Sequence, residues 1–190
     1  MIKKEEPASK WRIYAAIIAA VFAVNMLLNV VTIALNYPTE SHRSVARQLD
    51  VFSVNMMSGQ DFTTIMDSDE YKKVAQSSEA KYMDAATMYL LALSLIVTVT
   101  IIGTVYYYLR KHRTTAKPVG ATVLLVTIGG LLPLILSAYM ATMYIGLQMP
   151  GIGHVVFMLF IGLVIAPLVN AVITRIFDWH YNRKHSFVIE

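Results

Sequence analysis

Four long stretches of apolar residues follow one another along the chain, separated by segments that carry most of the charge. They cover about residues 13–36, 85–109, 119–147 and 155–176. Each is long enough for an α-helix to cross the hydrocarbon core of a bilayer, which takes about 20 apolar residues. The pattern predicts an all-α integral membrane protein, with one membrane domain built as a bundle of four transmembrane helices.

The polar segment 37–84, between the first and second spans, has a helical pattern of its own. Apolar residues recur there every three or four positions, with charged residues between them, and Ser58-Gly59 ends the pattern. This predicts an extracytoplasmic amphipathic helix over about residues 41–57, which either lies on the outer membrane surface or caps the bundle. The residues expected to contact a partner are Leu49, Phe52 and Met56.

Acidic residues gather in the second half of this segment. Asp67 with Glu70 fits a capping box at a helix start, and helical periodicity continues from there into the second span. We therefore expect one uninterrupted helix over about 69–109. With Asp61 and Asp69 the cluster faintly resembles a calcium loop, but it lacks the central glycine and closing glutamate of an EF-hand. Helix capping is the favoured interpretation, and neither a metal nor a cofactor is expected.

Proline and glycine mark irregular points in the third and fourth spans. Pro133 and Pro167 each remove a backbone hydrogen bond, so both spans should bend. Pro150-Gly151 predicts a tight turn between these two spans, which makes them an antiparallel hairpin. The glycines expected to allow close helix packing are Gly103, Gly129, Gly130 and Gly162.

Lysine and arginine are distributed asymmetrically about the spans. The short flanks hold Lys3, Lys4, Lys10 and Arg12 before the first span, Arg110, Lys111, Arg113 and Lys117 between the second and third, and Arg175, Arg183 and Lys184 after the fourth. The turn at 148–154 has neither residue type. By the positive-inside rule, we expect both termini to be cytoplasmic and segment 37–84 to lie outside.

The first span favours a retained anchor over a cleaved signal peptide, because its apolar run exceeds the usual length of about 7–15 residues. No N-x-[ST] sequon occurs, which is compatible with a prokaryotic plasma membrane. Aromatic residues near the span ends, such as Tyr106, Tyr107 and Tyr108, predict a belt at the headgroup level.

Composition narrows the functional classes. Charged residues make up 15% of the chain, below the roughly 25% of soluble domains, as expected for a surface that faces lipid. The chain has no cysteine, which excludes disulfides and thiolate chemistry. The net charge of +4 comes from cations beside the span ends, so nucleic-acid binding is not expected.

Neutral polar residues recur on the spans at helical spacing. The predicted intramembrane polar face consists of Asn25, Asn29 and Thr32 on the first span, Ser94 and Thr98 on the second, and Ser137 on the third. Asn170, on the fourth span, is expected nearer the cytoplasmic end. Three interpretations stay open: hydrogen bonds that hold the helices together, a crevice for a small solute or lipophilic ligand, and a docking face for a partner helix or second copy.

The span interiors contain no titratable Asp, Glu, Lys, Arg or His, which disfavours proton relays and voltage sensing. The leading functional hypothesis is therefore a non-enzymatic accessory or scaffold subunit of a membrane complex. The alternative is a small transport or lipophilic-ligand-binding bundle that uses the polar face. An enzyme using the acids of the outer loop ranks last. Expected partners are the bilayer and either another protein or a second copy.

Overall fold

A computed structural model of the protein describes residues 10–147 and 152–186. Within these ranges the chain is helical apart from short connections and contains no strand, which confirms the all-α class. The helices are α1 Lys10–Asn36, α2 Glu40–Met57, α3 Phe62–Asp67, α4 Asp69–Ala75, α5 Ser78–Lys111, α6 Pro118–Ile145, α7 Ile152–Phe160 and α8 Ala166–Ser186, with a π-helical segment Ile161–Ile165 between α7 and α8.

Among the residues that the structure describes, four helices are long and apolar enough to cross a membrane: α1, α5, α6 and the continuous run Val155–Lys184. The four apolar stretches of the sequence are thus confirmed as four long helices. The last of them continues well past the predicted end at residue 176, because the polar residues that follow remain helical. The predicted turn at Pro150-Gly151 lies outside the described residues.

Helix α6 lies at the centre of the bundle and contacts α1, α5 and α8. In the most apolar stretch of α6, 28% of the residues are buried inside the protein. The corresponding share for α1, at the periphery, is 6%. The core is small and consists of Val21, Ile102, Val105, Leu109, Leu125 and Val126. Many other apolar side chains are exposed, such as Leu27, Met88 and Leu168, as expected for helices surrounded by lipid.

The two ends of the bundle differ. We call the end where α1 begins and α5 meets α6 the basic end, and the opposite end, where α2, α3 and α4 lie, the loop end. At the loop end α2 contacts α5 and α6, so the predicted amphipathic helix caps the bundle. The Arg47 guanidinium donates to the carbonyl of Ile145 at 2.7 Å, where α6 leaves its last carbonyls unpaired. Arg43 lies 4.9 Å from the centre of the Tyr144 ring.

The expected uninterrupted helix over 69–109 is wrong. Helix α4 ends at Ala75, and the Ser77 hydroxyl accepts a hydrogen bond from the N–H of Ala80 at 3.2 Å to start α5. Serine competes with the helix backbone in this way, which explains the break. The cap of α4 is likewise Ser68 and not Asp67, whose carboxylate lies 3.3 Å from Lys72.

Three of the four predicted packing glycines do bring helices together. A Cβ added at Gly129 would lie 2.8 Å from the Cβ of Val21, and one at Gly103 would lie 2.9 Å from the Phe177 ring. One added at Gly162 would collide with Leu131. Gly130 differs, because a Cβ there meets nothing within 4 Å. The prediction of close packing is therefore wrong for Gly130, which faces open space.

The fourth span is irregular just before Pro167. The N–H of Ala166 donates to the carbonyl of Ile161, five residues back, which is the π-helical pattern. Pro167 follows directly and has no N–H to donate. The bend predicted at Pro167 stays a prediction. What the structure shows is a π-helical segment just before it, which packs through Gly162 onto α6.

Candidate functional site

A half-open cavity of about 220 Å³ lies between all the spans. It is lined by side chains from α1, α5, α6, the π-helical segment and α8. The polar residues among them are Asn25, Asn29, Thr98, Thr127 and Asn170. The rest of the lining is apolar, and we call this space the polar cavity.

The two asparagines of α1 reach the polar cavity because they are one helical turn apart on the same face. The Asn29 amide crosses to α6 and donates to the carbonyl of Pro133 at 3.3 Å. The Asn25 amide donates at 2.8 Å to the carbonyl of Val21 in its own helix. An asparagine amide has two N–H donors and an oxygen that accepts twice. Each of these side chains therefore keeps hydrogen-bonding capacity beyond the one bond described.

Asn170 lines the polar cavity from α8. It is 5% exposed, and its amide donates to the Thr127 hydroxyl on α6 at 3.2 Å. Asn170 lines the same cavity as the amides of α1, and its expected position nearer the cytoplasmic end stays a prediction. Side chains on a helix tilt toward its N-terminus, so the amide of Asn170 reaches back toward the middle of the bundle.

The space itself results from backbone features of two spans. Gly130 lines the polar cavity without a side chain, and Pro133 lies on the same wall. The π-helical segment contributes Ile161 and Gly162 to the lining. Single π-helical turns inside α-helices occur frequently at functional sites. Missing side-chain volume and a widened helix turn together leave the cavity.

The structure divides the predicted polar face. Asn25, Asn29 and Thr98 line the polar cavity, whereas Thr32, Ser94 and Ser137 lie outside its lining. The Ser137 hydroxyl donates to the carbonyl of Leu134 in its own helix at 2.9 Å. Sequence reasoning missed Thr127 as a lining residue and misread Gly130. A signal for both residues was present in the sequence, because Thr127 and Gly130 precede Pro133 closely on the same predicted span.

The described residues that line the polar cavity include no charged side chain. Among the residues that the structure describes, no group of three or more His, Asp or Glu could hold a metal ion. The chemistry open to it is hydrogen bonding by amides and hydroxyls. It suits an uncharged molecule with donors and acceptors.

A second polar cluster, at the basic end, was not predicted. The Tyr106 hydroxyl donates to the Asp178 carboxylate at 2.6 Å, and Arg110 donates to Tyr106 at 3.1 Å and to Asn182 at 2.8 Å. We call these four residues the Arg110 cluster. It joins α5 to α8. The belt prediction is wrong for Tyr106, which is 0% exposed, while Tyr107 is 37% exposed.

At the loop end, the residues expected to contact a partner are half-buried within the chain: Leu49, Phe52 and Met56. The Phe52 ring packs edge-on against Tyr71 of α4, with 5.4 Å between ring centres. The adjacent face of α2 is more open, and Met57 there is 89% exposed. Partner contact through α2 stays a prediction.

Comparisons of the chain with protein-family models, curated proteins and solved structures find no match.

Proposed function

We propose that this protein is a non-enzymatic membrane bundle that binds a small uncharged molecule in the polar cavity. The observation that carries the proposal is the convergence of polar side chains from α1, α5, α6 and α8 on one space. The ligand class follows from the lining: amides and hydroxyls recognise donors and acceptors, while the absence of charge in the lining disfavours ions.

The hydrogen bonding of Asn25 favours a binding role for the polar cavity over a purely structural one. Asn29 and Asn170 donate to other helices and so stabilise the bundle. The bond of Asn25 stays within α1. Asn25 is half-buried, and removing part of an amide from water costs free energy unless its groups are hydrogen-bonded. An amide that lines a cavity without joining two helices is therefore better explained by a ligand or water that completes its hydrogen bonds.

The size of the polar cavity limits the ligand. At about 220 Å³ it is smaller than the pockets of about 300–1,000 Å³ that hold drug-sized molecules. It corresponds to several water molecules, each with a share of about 30 Å³ of the liquid. A polyol, urea or the polar ring of a lipophilic molecule fits this space in chemistry and in scale.

Gly130→Val provides the direct test. The added side chain enters open space, so it should fill part of the polar cavity without a clash. Saturation-transfer NMR on the protein in lipid nanodiscs would use glycerol, urea and 1,4-benzoquinone as probes. We expect transfer to at least one probe in the original chain and its loss in Gly130→Val.

Gly120→Val is the matched control. Gly120 lies on the same helix, is exposed, and also has nothing within 4 Å of an added Cβ. It should leave binding unchanged. Equal signals from the two variants, or no transfer to any probe in the original chain, would count against ligand binding in the polar cavity.

The loop end favours a second candidate, an accessory or scaffold subunit that binds a protein partner. Helix α2 is anchored to α6 through Arg47, and it presents apolar side chains outward. The exposed residues are Val51, Val54 and Met57 on α2 and Phe62 on α3. Clustered exposed apolar residues of this kind mark interaction surfaces. In Met57→Glu, co-purification of a partner from native membranes should be lost, while Gln60→Glu should retain it.

For both candidates we propose a multi-pass protein of a prokaryotic plasma membrane, with both termini cytoplasmic and α2–α4 outside. The support is the distribution of Lys and Arg, which favours the basic end as the cytoplasmic one. Thiol labelling would test it: a cysteine at Gln60 should react with a membrane-impermeant reagent in intact cells. A cysteine at Lys184 should not react.

A further inference from the structure

We propose that a groove between α1 and α5, separate from the polar cavity, binds one anionic phospholipid of the leaflet at the basic end. The groove has a volume of about 730 Å³. Its floor includes Val21 and Val105 of the core, and its walls are almost entirely apolar. Ala16 and Ala20 line it on α1, and their small side chains leave it wide.

The length of the groove matches one leaflet. On α1 it runs from Arg12 to Val24 and on α5 from Ile96 to Tyr108. Each stretch has thirteen residues, so its ends are twelve helical rises apart, or about 18 Å at about 1.5 Å per residue. Half of the roughly 30 Å hydrocarbon core is about 15 Å. An acyl chain of one leaflet therefore fills the groove from end to end.

The two helices close above the groove. Near the loop end the Tyr82 hydroxyl donates to the carbonyl of Leu35 at 3.0 Å, and the Thr87 hydroxyl donates to Asn36 at 3.4 Å. A partner transmembrane helix would need a contact surface along most of the core, and this groove ends midway. The geometry thus favours a lipid chain over a partner helix or a second copy.

The mouth of the groove determines the headgroup. Arg12 lies there on α1 and Tyr108 on α5, both exposed. Lys10 and Lys111 flank the same end of these helices. A guanidinium forms paired, charge-assisted hydrogen bonds with a phosphate, and nearby cations attract anionic lipids. The chemistry selects a phospholipid with a net negative charge over a zwitterionic one.

Native mass spectrometry of the full chain in mild detergent would test this, with phosphatidylglycerol and phosphatidylcholine of identical acyl chains as probes. We expect one retained phosphatidylglycerol per chain. In Arg12→Gln its preference over phosphatidylcholine should fall about fivefold, the factor that one lost cation near the headgroups implies. The matched control Lys10→Gln removes a charge outside the groove lining and should have a smaller effect.

Filling the groove tests the position of the chain. Ala20→Phe should exclude the retained lipid, whereas Leu27→Phe, at a 66% exposed position of the same helix, should retain it. If Ala20→Phe does not fold, Ala16→Val provides the same test with a smaller side chain. Equal lipid retention in the groove variants and the control would overturn the site. So would a dimer that forms in place of the lipid-bound monomer. Equal retention of the two lipids by the original chain would overturn the headgroup assignment.

Discussion

The polar cavity and the Arg110 cluster both place polar side chains within an apolar bundle. The two regions differ in how far the hydrogen bonds of these side chains are satisfied inside the protein. In the Arg110 cluster a cation, a carboxylate, a phenol and an amide bond one another across two helices. In the polar cavity the groups are neutral, and the described bonds of its asparagines leave donors and acceptors over.

This difference separates a structural role from a binding role. Charges in a low-dielectric environment must be paired, because an unpaired one costs several kcal/mol. Once paired as in the Arg110 cluster, they have little left to offer a ligand. Neutral amides cost less to bury and can keep free groups that a small molecule completes. The cluster therefore fixes α8 against α5, and the cavity is the space that the proposed function assigns to a ligand.

The largest effect should come from breaking the Arg110 cluster. Asp178→Ala leaves the guanidinium without its carboxylate and the Tyr106 hydroxyl without its acceptor. Since the side chains of Arg110 and Asp178 are 32% and 20% exposed, water offsets part of the loss. We expect the free energy of unfolding to fall by about 2 kcal/mol, as measured by denaturant titration in detergent micelles.

Asp67→Asn is the control for this prediction. The Lys72–Asp67 pair is exposed on both sides, so its loss should change the free energy of unfolding by less than about 0.5 kcal/mol. If the free energy of unfolding falls equally little in both variants, the Arg110 cluster does not hold α8 in place.

Within the polar cavity, the two asparagines of α1 should behave differently. Asn29→Leu removes a bond between α1 and α6 and should lower the free energy of unfolding by about 1 kcal/mol. Asn25→Leu removes a bond within α1 and should leave stability nearly unchanged while abolishing ligand binding. The same unfolding titration measures both. Equal destabilisation would assign Asn25 a structural role instead.

Substitution of Thr122 should have a smaller effect, and it should raise the free energy of unfolding where the preceding variants lower it. Its hydroxyl is fully buried on α6 and has no hydrogen-bond partner among the described residues. Thr122→Val keeps the shape and removes the unpaired group, so it should raise the free energy of unfolding by up to about 1 kcal/mol. Thr127→Val, which breaks the bond with Asn170, should lower it. A fall in both variants would mean that Thr122 has a partner.

The smallest expected effect concerns pH at the loop end. Hydrogen bonds from Arg47 and then Arg43 lower the pKa of Glu40 below its ordinary value of 4.5. A lowered carboxyl pKa stabilises the fold above that ordinary value, and the stabilisation is lost as the pH falls through the lowered pKa. The melting temperature should therefore drop between about pH 6 and about pH 3.5 more in the original chain than in Glu40→Gln. Equal drops would exclude this contribution.

The sequence predicts the helices better than it predicts their contacts. The spans and α2 follow from local apolar periodicity, which depends only on neighbouring residues. Apolar periodicity did not predict the break at Ser77, because the periodic pattern continues past that residue. The break comes from the Ser77 side chain, which caps the start of α5. Such a cap can also be present without ending a helix.

The candidate site was only partly predictable for a related reason. Asn25, Asn29 and Thr98 share helix faces, and periodicity reveals that. The side chain of Asn170 enters the polar cavity because of the rotation and depth of α8, which the π-helical segment changes. Arg110 and Asp178 are 68 residues apart, and only the packing of α8 on α5 brings them together. Local patterns contain no information on such distant contacts.

Thiol reactivity in intact membranes tests directly whether the polar cavity is open to small uncharged molecules. The chain has no cysteine, so Thr98→Cys introduces a single thiol, and it lies in the cavity lining. Leu95→Cys introduces a single thiol on the outer face of the same helix, where Leu95 is 59% exposed. Because the thiolate is the reactive form, reaction with methyl methanethiosulfonate requires a polar, hydrated surrounding. We predict fast modification of Thr98→Cys, slow modification of Leu95→Cys, and protection of the former by Gly130→Val. Equally slow modification of both cysteines would contradict a ligand-binding cavity.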